Sequence, residues 1–255
     1  MKIASWNVNS LRVRLPQVLE WLNRQRPDVL ALQETKTTDE QFPVAEIETA
    51  GYRVVYSGQK TYNGVAILAT GELSDTVADL PGVEDPQRRL LAATCAGVRI
   101  VNVYVPNGSE VGSDKYAYKL EWLGRLTDYL QEELRQHERL VLLGDFNIAP
   151  EDRDVHDPKA WEGKVLCSEP EREAFRRLVG LGLVDTFRQF SNEGGAFSWW
   201  DYRMNGFRRN LGLRIDHILA SRALSERATA SIIDKEPRGW ERPSDHAPVV
   251  AEFNL

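Results

Sequence analysis

Leu140-Val-Leu-Leu runs without a polar residue into Gly144, Asp145, Phe146 and Asn147, and Pro150 closes the stretch. A short apolar run of this kind, with no polar alternation, suits a strand covered on both faces. Residues two apart in an extended chain project to the same side, so Asp145 and Asn147 can share one pocket at the end of that strand. Gly, Asp, Asn and Pro also build ordinary loops, and this stretch alone does not separate the two readings. The rest of the chain does.

The pattern repeats along the sequence. Lys2 to Val8 reads as a strand whose end carries Asn7 and Asn9, and Leu11, Leu15, Val18, Leu19 and Leu22 then recur at helical spacing until Pro27. Val29 to Leu32 is a short apolar strand that runs into Gln33 and Glu34. Tyr52 to Tyr56, Val65 to Ala69, Leu90 to Cys95 and Arg99 to Val105 read as further strands separated by glycine-containing turns. The last of them leads into Tyr104-Val-Pro-Asn-Gly108. Asp114 to Arg135 reads as one long amphipathic helix marked by Tyr116, Leu120, Leu123, Leu130 and Leu134. Ser168-Glu-Pro-Glu171 has the form of a capping box with proline in the first turn. Arg214 to Ala220 and Val249 to Phe253 are the final strong strands. Two sheets packed face to face with helices outside, an α/β sandwich, account for this order and bring the polar strand ends to one edge.

A chain of 255 residues can bury a sizeable core, and no linker of Pro, Gly or Ser divides it, so one domain over 1–255 is expected. A net charge of −6 argues against bulk electrostatic binding to polyanions, although the argument weakens where carboxylates gather around a cation. Cys95 and Cys167 lack the spacing of a zinc site or a disulfide framework. No segment approaches the length of a membrane span, and Asn7 and Asn9 interrupt the region a signal peptide would need to keep apolar. A cytoplasmic monomer without membrane contact is the expectation.

Collected, the strand-end groups are Asn7, Asn9, Glu34, Tyr104, Asn107, Asp145, Asn147, Asp216, Asp245 and His246. Four carboxylates buried together would repel one another. A hard divalent cation held by oxygens removes that penalty, and Mg²⁺ is the usual choice beside phosphate. His246 stands between prolines and beside an acid, where Asp216 can orient its ring. Alternation sends His217 away from Asp216, so His217 reads as structural, and His156 has no supporting context.

At this point the chain resembles the exonuclease III family of the endonuclease/exonuclease/phosphatase superfamily. The resemblance spans the whole length and rests on ordered blocks: Asn7-Val-Asn9, Gln33-Glu-Thr-Lys36, Gly58-Gln-Lys60, Gln87-Arg-Arg89, Tyr104-Val-Pro-Asn-Gly108, Gly144-Asp-Phe-Asn147, Phe197-Ser-Trp-Trp-Asp-Tyr-Arg203, Gly212-Leu-Arg-Ile-Asp216 and Ser244-Asp-His246. It implies a four-layered α/β sandwich, Mg²⁺ or Mn²⁺ as cofactor, and cleavage of duplex DNA at abasic sites or from 3′ ends. By the same resemblance Glu34 ligates the metal, with Asn7 and Asn9 beside it as phosphate and metal-shell groups. Asp145 positions and deprotonates the attacking water next to Asn147. His246 with Asp216, and Tyr104, stabilise charge on the phosphate, which Asn107 also contacts. Asp245 is expected near the leaving oxygen or in the metal shell.

Trp199 and Trp200 read first as core; the resemblance adds that they, with Leu213 and Ile215, line a pocket for an extruded sugar lacking its base. Arg12, Arg14, Lys60, Arg88, Arg89, Arg203, Arg208, Arg209 and Arg214 form, as a group, the candidate phosphate contacts. The loop from Asn107 to Lys115 and the segment from His156 to Cys167 carry no matching block, which leaves open the balance between abasic-site incision, 3′-end cleaning and exonuclease digestion. Two competing readings are a phosphodiesterase or phosphatase acting on phosphoinositides or sphingolipids, and a silent member that only binds nucleic acid or protein. The Trp199-Trp200 block and the arginines disfavour the first; the intact set Glu34, Asp145, Asp216 and Asp245 disfavours the second.

Overall fold

The computed structural model describes residues 1–255. The first sheet contains β1 (Lys2–Asn7), β2 (Val29–Gln33), β3 (Arg53–Ser57), β4 (Val65–Ala69), β13 (Ala228–Ile233) and β14 (Val249–Phe253), in the spatial order β13-β14-β1-β2-β4-β3. The second contains β5 (Ser74–Ala78), β6 (Leu90–Cys95), β7 (Val98–Tyr104), β8 (Leu140–Asp145), β9 (Leu183–Asp185) and β12 (Asp216–Ser221), in the order β5-β6-β7-β8-β12-β9. A small ribbon pairs β10 (Trp199–Trp200) with β11 (Gly212–Leu213). Each large sheet is mixed: β1 runs parallel to β2, and β7 parallel to β8, while their other neighbours are antiparallel.

Helices cover the outer faces. Leu11, Val18, Trp21 and Leu22 of α1 (Leu11–Gln25) and Ile47 of α2 (Val44–Thr49) pack with Ala4, Trp6, Leu30 and Leu32 on one side. On the other, Trp122, Leu123, Leu126 and Leu130 of α3 (Asp114–Gln136) pack with Val101, Val103, Leu140 and Leu142. They are joined there by Phe175 and Leu178 of α5 (Glu169–Gly180), which follows the single turn α4 (Pro158–Trp161). Between the sheets lies a third apolar layer that includes Ile3, Ala31, Ile67, Ile100, Val141, Leu143 and Ile218. The alternate residues of β8 thus enter two different cores, which is why its sequence shows no polar alternation. The short α6 (Thr186–Phe190) and α7 (Arg222–Ser225) complete the chain.

The four-layered α/β sandwich expected from the sequence is the fold observed. The differences are local. The strand expected over Arg214 to Ala220 starts two residues later: β12 begins at Asp216, and Arg214 and Ile215 connect it to Gly212–Leu213, which joins the small ribbon. Strands β5 and β13 carry no clear apolar alternation, because they lie at sheet edges where several of their residues face solvent. Gly144 has a backbone requirement. At φ 144°, an added Cβ would lie 1.9 Å from the carbonyl oxygen of Val103 on the neighbouring strand, so no other residue fits there.

No helix is long and apolar enough to cross a membrane.

Candidate active site

Register places the polar strand ends together. Asn7 pairs with Gln33 at the ends of β1 and β2, so Glu34 follows immediately beside Asn7. In the opposite sheet Tyr104 pairs with Asp145 across parallel strands, and Asp216 pairs with Asp145 across antiparallel ones. His246 reaches the same edge through a bridge to Trp199, just before β14. Asn9, Glu34 and Asn147 all adopt left-handed backbone conformations, with φ of 43°, 50° and 49°. Such conformations are uncommon outside glycine and are found where surrounding structure holds them for function.

Hydrogen bonds connect these groups across the two sheets. The amide nitrogen of Asn7 donates to Glu34 Oε1 and to Asp145 Oδ2, each at 2.9 Å, while its Oδ1 accepts from the backbone of Asn9. Asn9 Nδ2 donates to Asp245 Oδ1, whose other oxygen accepts from Trp199 Nε1 at 3.0 Å. Asn147 donates to Val105 O and to Asp145 Oδ2, and accepts from Asn107 Nδ2 at 3.1 Å. His246 Nδ1 donates to Asp216 Oδ2 at 2.8 Å, and Ser198 holds that same oxygen at 2.7 Å. The ring's free edge, Nε2, points toward Asp145 Oδ2 at 3.7 Å.

The buried charge is unbalanced in favour of acids, and the protonation equilibria follow. Burial pushes the Asp145 carboxyl up to about 7; Asp216 and Glu34 push in the same direction, while His246 and Asn7 oppose. Burial by itself would lower the His246 imidazole, but Asp216 and then Asp145 outweigh it and push the ring up to about 10. Tyr104 is held well above its ordinary value by burial and by the carboxylates of Glu34 and Asp145, so the phenol keeps its proton. Asp245 lies below the usual carboxylate range: burial opposes ionisation, but His246, Asn9 and Trp199 prevail.

Glu34, Asp145 and His246 present ligand atoms within 4.8 Å of one another. The carboxylates of Glu34 and Asp145 suit a hard divalent cation. His246 commits Nδ1 to Asp216 and presents only Nε2 to this group. Asn7 and Asn147 serve the cluster as hydrogen-bond donors to its carboxylates, and Asp245 lies outside the group, held by Asn9 and Trp199.

Chemically, the site offers an acceptor poised near neutrality, a buried imidazolium, a protonated phenol, and carboxylates able to hold a cation. That combination suits hydrolysis of a phosphate ester. A family model for the Endonuclease/Exonuclease/phosphatase family matches residues 4–246. The chain belongs to that family. Within it, the exodeoxyribonuclease III of Haemophilus influenzae is 38% identical over 99% of this chain and 100% of that protein. Among solved structures of family members, the 3′ phosphatase NExo from Neisseria, bound to a product DNA hairpin, is 50% identical with a TM-score of 0.99. An AP endonuclease from Archaeoglobus fulgidus is 42% identical with a TM-score of 0.97, and both structures align over the full length of both chains. The family's exodeoxyribonuclease III branch therefore includes this chain.

The remaining sequence candidates divide. Arg89 donates to the Tyr104 carbonyl and its guanidinium sits 4.8 Å from that ring; with Asn107, Tyr62 and Lys115 it lines a groove of 340 Å³ beside the site. Arg88 lies next to it but pairs with Asp79. Arg12, Lys60, Arg203, Arg208 and Arg209 are exposed, whereas Arg14 is spent on the carbonyls of Asn9 and Pro243. Three expectations need correction. Arg214 is 1% exposed and makes ion pairs with Asp154 and Asp185, so it cannot reach a phosphate without breaking that network. Trp200 and Leu213 are fully buried in two separate apolar clusters, one with Phe197 and Ala247, the other with Ile215 and Val155. They are core, and of Trp199, Trp200, Leu213 and Ile215 only Trp199 is partly open.

Sequence reasoning gave no role to Ser198, which fixes Asp216, or to Lys119, which is fully buried behind Asn107 and Asn147. Lys119 did leave a signal. It lies on the same helical face as Tyr116, Trp122 and Leu123, where a charge is costly unless paired.

Proposed function

We propose that this protein is a Mg²⁺-dependent DNA repair nuclease, with Mn²⁺ as the alternative ion. It hydrolyses phosphodiesters of duplex DNA as a 3′-to-5′ exonuclease, removes 3′-terminal phosphates and incises at abasic sites. The observation that carries this reading is the convergence of Glu34, Asp145 and the Asp216-bound His246 from three distant parts of the chain. The similarity to a 3′ phosphatase, an AP endonuclease and an exodeoxyribonuclease III supports the choice of DNA and of these ends.

Glu34 and Asp145 would hold the ion, which would supply positive charge to the scissile phosphate and lower the barrier to attack by water. Asp145 accepts the proton of the attacking water as the water oxygen bonds to phosphorus; the P–O3′ bond breaks and the 3′ oxygen leaves, taking up a proton from solvent. The imidazolium of His246 donates from Nε2 to a phosphate oxygen that gains charge in the transition state. Asp216 fixes the ring and keeps it charged. Tyr104 donates a hydrogen bond from its phenol to the same phosphate, and Asn147 and Asn107 supply amide donors. Asn7 and Asn9 tie the metal-binding carboxylate to the rest of the cleft. Asp245, ionised and fixed by Asn9 and Trp199, faces the leaving-group side. Arg89 and Trp199, with the exposed Arg12, Lys60, Arg203, Arg208 and Arg209, contact the DNA backbone. The protein acts as a cytoplasmic monomer of one domain, 1–255.

The test is one set of labelled duplexes carrying an internal abasic analogue, a 3′ phosphate, a 3′ phosphoglycolate or a recessed 3′ hydroxyl. With Mg²⁺ each is expected to be cleaved, EDTA is expected to stop turnover, and added Mg²⁺ to restore it. Indifference to the chelator defeats the metal assignment; failure on all four duplexes defeats the nuclease reading.

A further inference from the structure

Behind the cleft lies a charged pair that the proposed chemistry does not use. Lys119 of α3 and Glu171 of α5 are both completely buried and form an ion pair. An ammonium has three donors, and here each has a partner: Glu171, the backbone carbonyl of Asn147 at 2.7 Å, and that of Asn107 at 3.2 Å. Glu171 is equally committed. Besides Lys119 it accepts from the backbone nitrogen of Leu166, and from the nitrogen and hydroxyl of Ser168.

The two carbonyls belong to the residues whose side chains meet in the cleft, where Asn107 Nδ2 donates to Asn147 Oδ1. Both residues lie just beyond the sheet, which ends at Tyr104 and Asp145, so no strand neighbour fixes their backbone. Asn147 in addition holds a left-handed conformation, φ 49°, that its surroundings must maintain. Gly108 shows how closely the lysine is fitted. A Cβ there would lie 3.1 Å from Lys119 Cδ and 3.3 Å from Val165.

Helices pack well with apolar residues at such positions, and a buried ion pair seldom stabilises more than they do. The placement of this one on two site carbonyls gives it a different use. We propose that Lys119 is a positioning residue. Its ammonium holds the main chain of Asn107 and Asn147 so that their amides meet the phosphate in the transition state, and Glu171 neutralises it. This inference rests on the phosphodiesterase reading of the cleft. It predicts an effect on turnover with little effect on DNA affinity, since the alignment matters at the reacting phosphate and not along the duplex.

Lys119→Met alone leaves a buried carboxylate without its cation, and Glu171→Gln alone a buried cation without its carboxylate, so the working comparison is Lys119→Met/Glu171→Gln against the wild type. Both are assayed with Mg²⁺ on the 3′-phosphate and abasic duplexes, after circular dichroism and melting establish the folded fraction. The double variant is expected to show kcat about 10- to 100-fold below the wild type, the range associated with a misplacement of roughly 1 Å, with KM within about twofold. Lys119→Met/Glu171→Gln added to Asn107→Ala/Asn147→Ala is expected to change kcat by less than about twofold, because the groups it would align are gone. A merely structural lysine would lower activity by the same factor in both backgrounds. Equal kcat for the double variant and the wild type, or losses that multiply across the two backgrounds, overturns the inference while the nuclease reading stands. A wild-type protein that cleaves neither duplex overturns both.

Discussion

Asp216 and His217 are consecutive on β12, yet they serve two buried charge clusters that differ in kind. Asp216 turns toward the cleft, where His246 faces several carboxylates and is pushed up to about 10. His217 turns the opposite way. Its Nε2 donates to the carbonyl of Ile148 at 2.9 Å, its Nδ1 accepts from Arg214, and Phe146 and Phe175 pack on its ring. Burial and the nearby Arg214 guanidinium hold this imidazole down at about 4, so it stays neutral. Arg214 in turn bonds Asp154 and Asp185, and Arg188 also pairs with Asp154. The same side chain, buried in both places, is a cation in one cluster and uncharged in the other. Neighbours decide this. Where acids outnumber cations, charge is left over for chemistry; where they balance, the cluster braces the fold.

Three substitutions test that contrast. The largest effect is expected in the unbalanced cluster: Asp145→Asn removes the proton acceptor and keeps its shape, so kcat should fall about 10²- to 10⁴-fold. Thermal unfolding should show no loss of stability, because one of several crowded carboxylates is gone. A variant that cleaves at the wild-type rate removes Asp145 from the reaction. In the balanced cluster the outcome should reverse. Arg214→Met strands the Asp185 carboxylate and leaves the buried Asp154 with Arg188 alone, and urea unfolding should show a loss of about 3–5 kcal/mol. The kcat of the folded fraction should stay close to that of the wild type. A large loss of turnover without loss of stability would show that Arg214 belongs to the active site after all.

The smallest effect concerns pH. The folded-state value of His217 lies below its unfolded value, so the stabilisation from its neutral ring is complete above about pH 6.5 and is lost as pH falls toward 4. A shift of this size corresponds to about 3 kcal/mol. His217→Gln, which cannot take up a proton, should flatten that acid limb of the stability curve. His246 works in the opposite direction: raised in the folded state, it contributes below about pH 6.5 and ceases to contribute as pH rises through about 10. An acid limb unchanged by His217→Gln would mean that this imidazole is already charged, and the contrast between the two histidines would fail.

Particular residues show how far the sequence could be read. The cleft was legible because its members sit at the ends of apolar strands: Asn7, Glu34, Tyr104 and Asp145 each follow or close a buried run, Asp216 opens one, and alternation separated Asp216 from His217. Arg214 was misread because a guanidinium next to site residues looks the same in sequence whether it faces DNA or two buried aspartates. Asp154 and Asp185, its partners, lie 60 and 29 positions away in weakly patterned segments. Trp200 and Leu213 were misplaced for a related reason. A two-residue ribbon has no periodicity from which an inward face can be told from an open one.

Local chemistry therefore determined which stretches are strands and helices, that they form two covered sheets, and that acids, amides and one histidine collect at strand ends. Hydrophobic period and turn composition are short-range properties, and a single chain displays them directly. Tertiary structure alone decided the charge state of each buried group, because that depends on which distant side chains arrive within a few ångströms once the sheets close. It made His246 a cation and His217 neutral, turned Arg214 inward, and placed the ammonium of Lys119 against the backbone of two cleft asparagines.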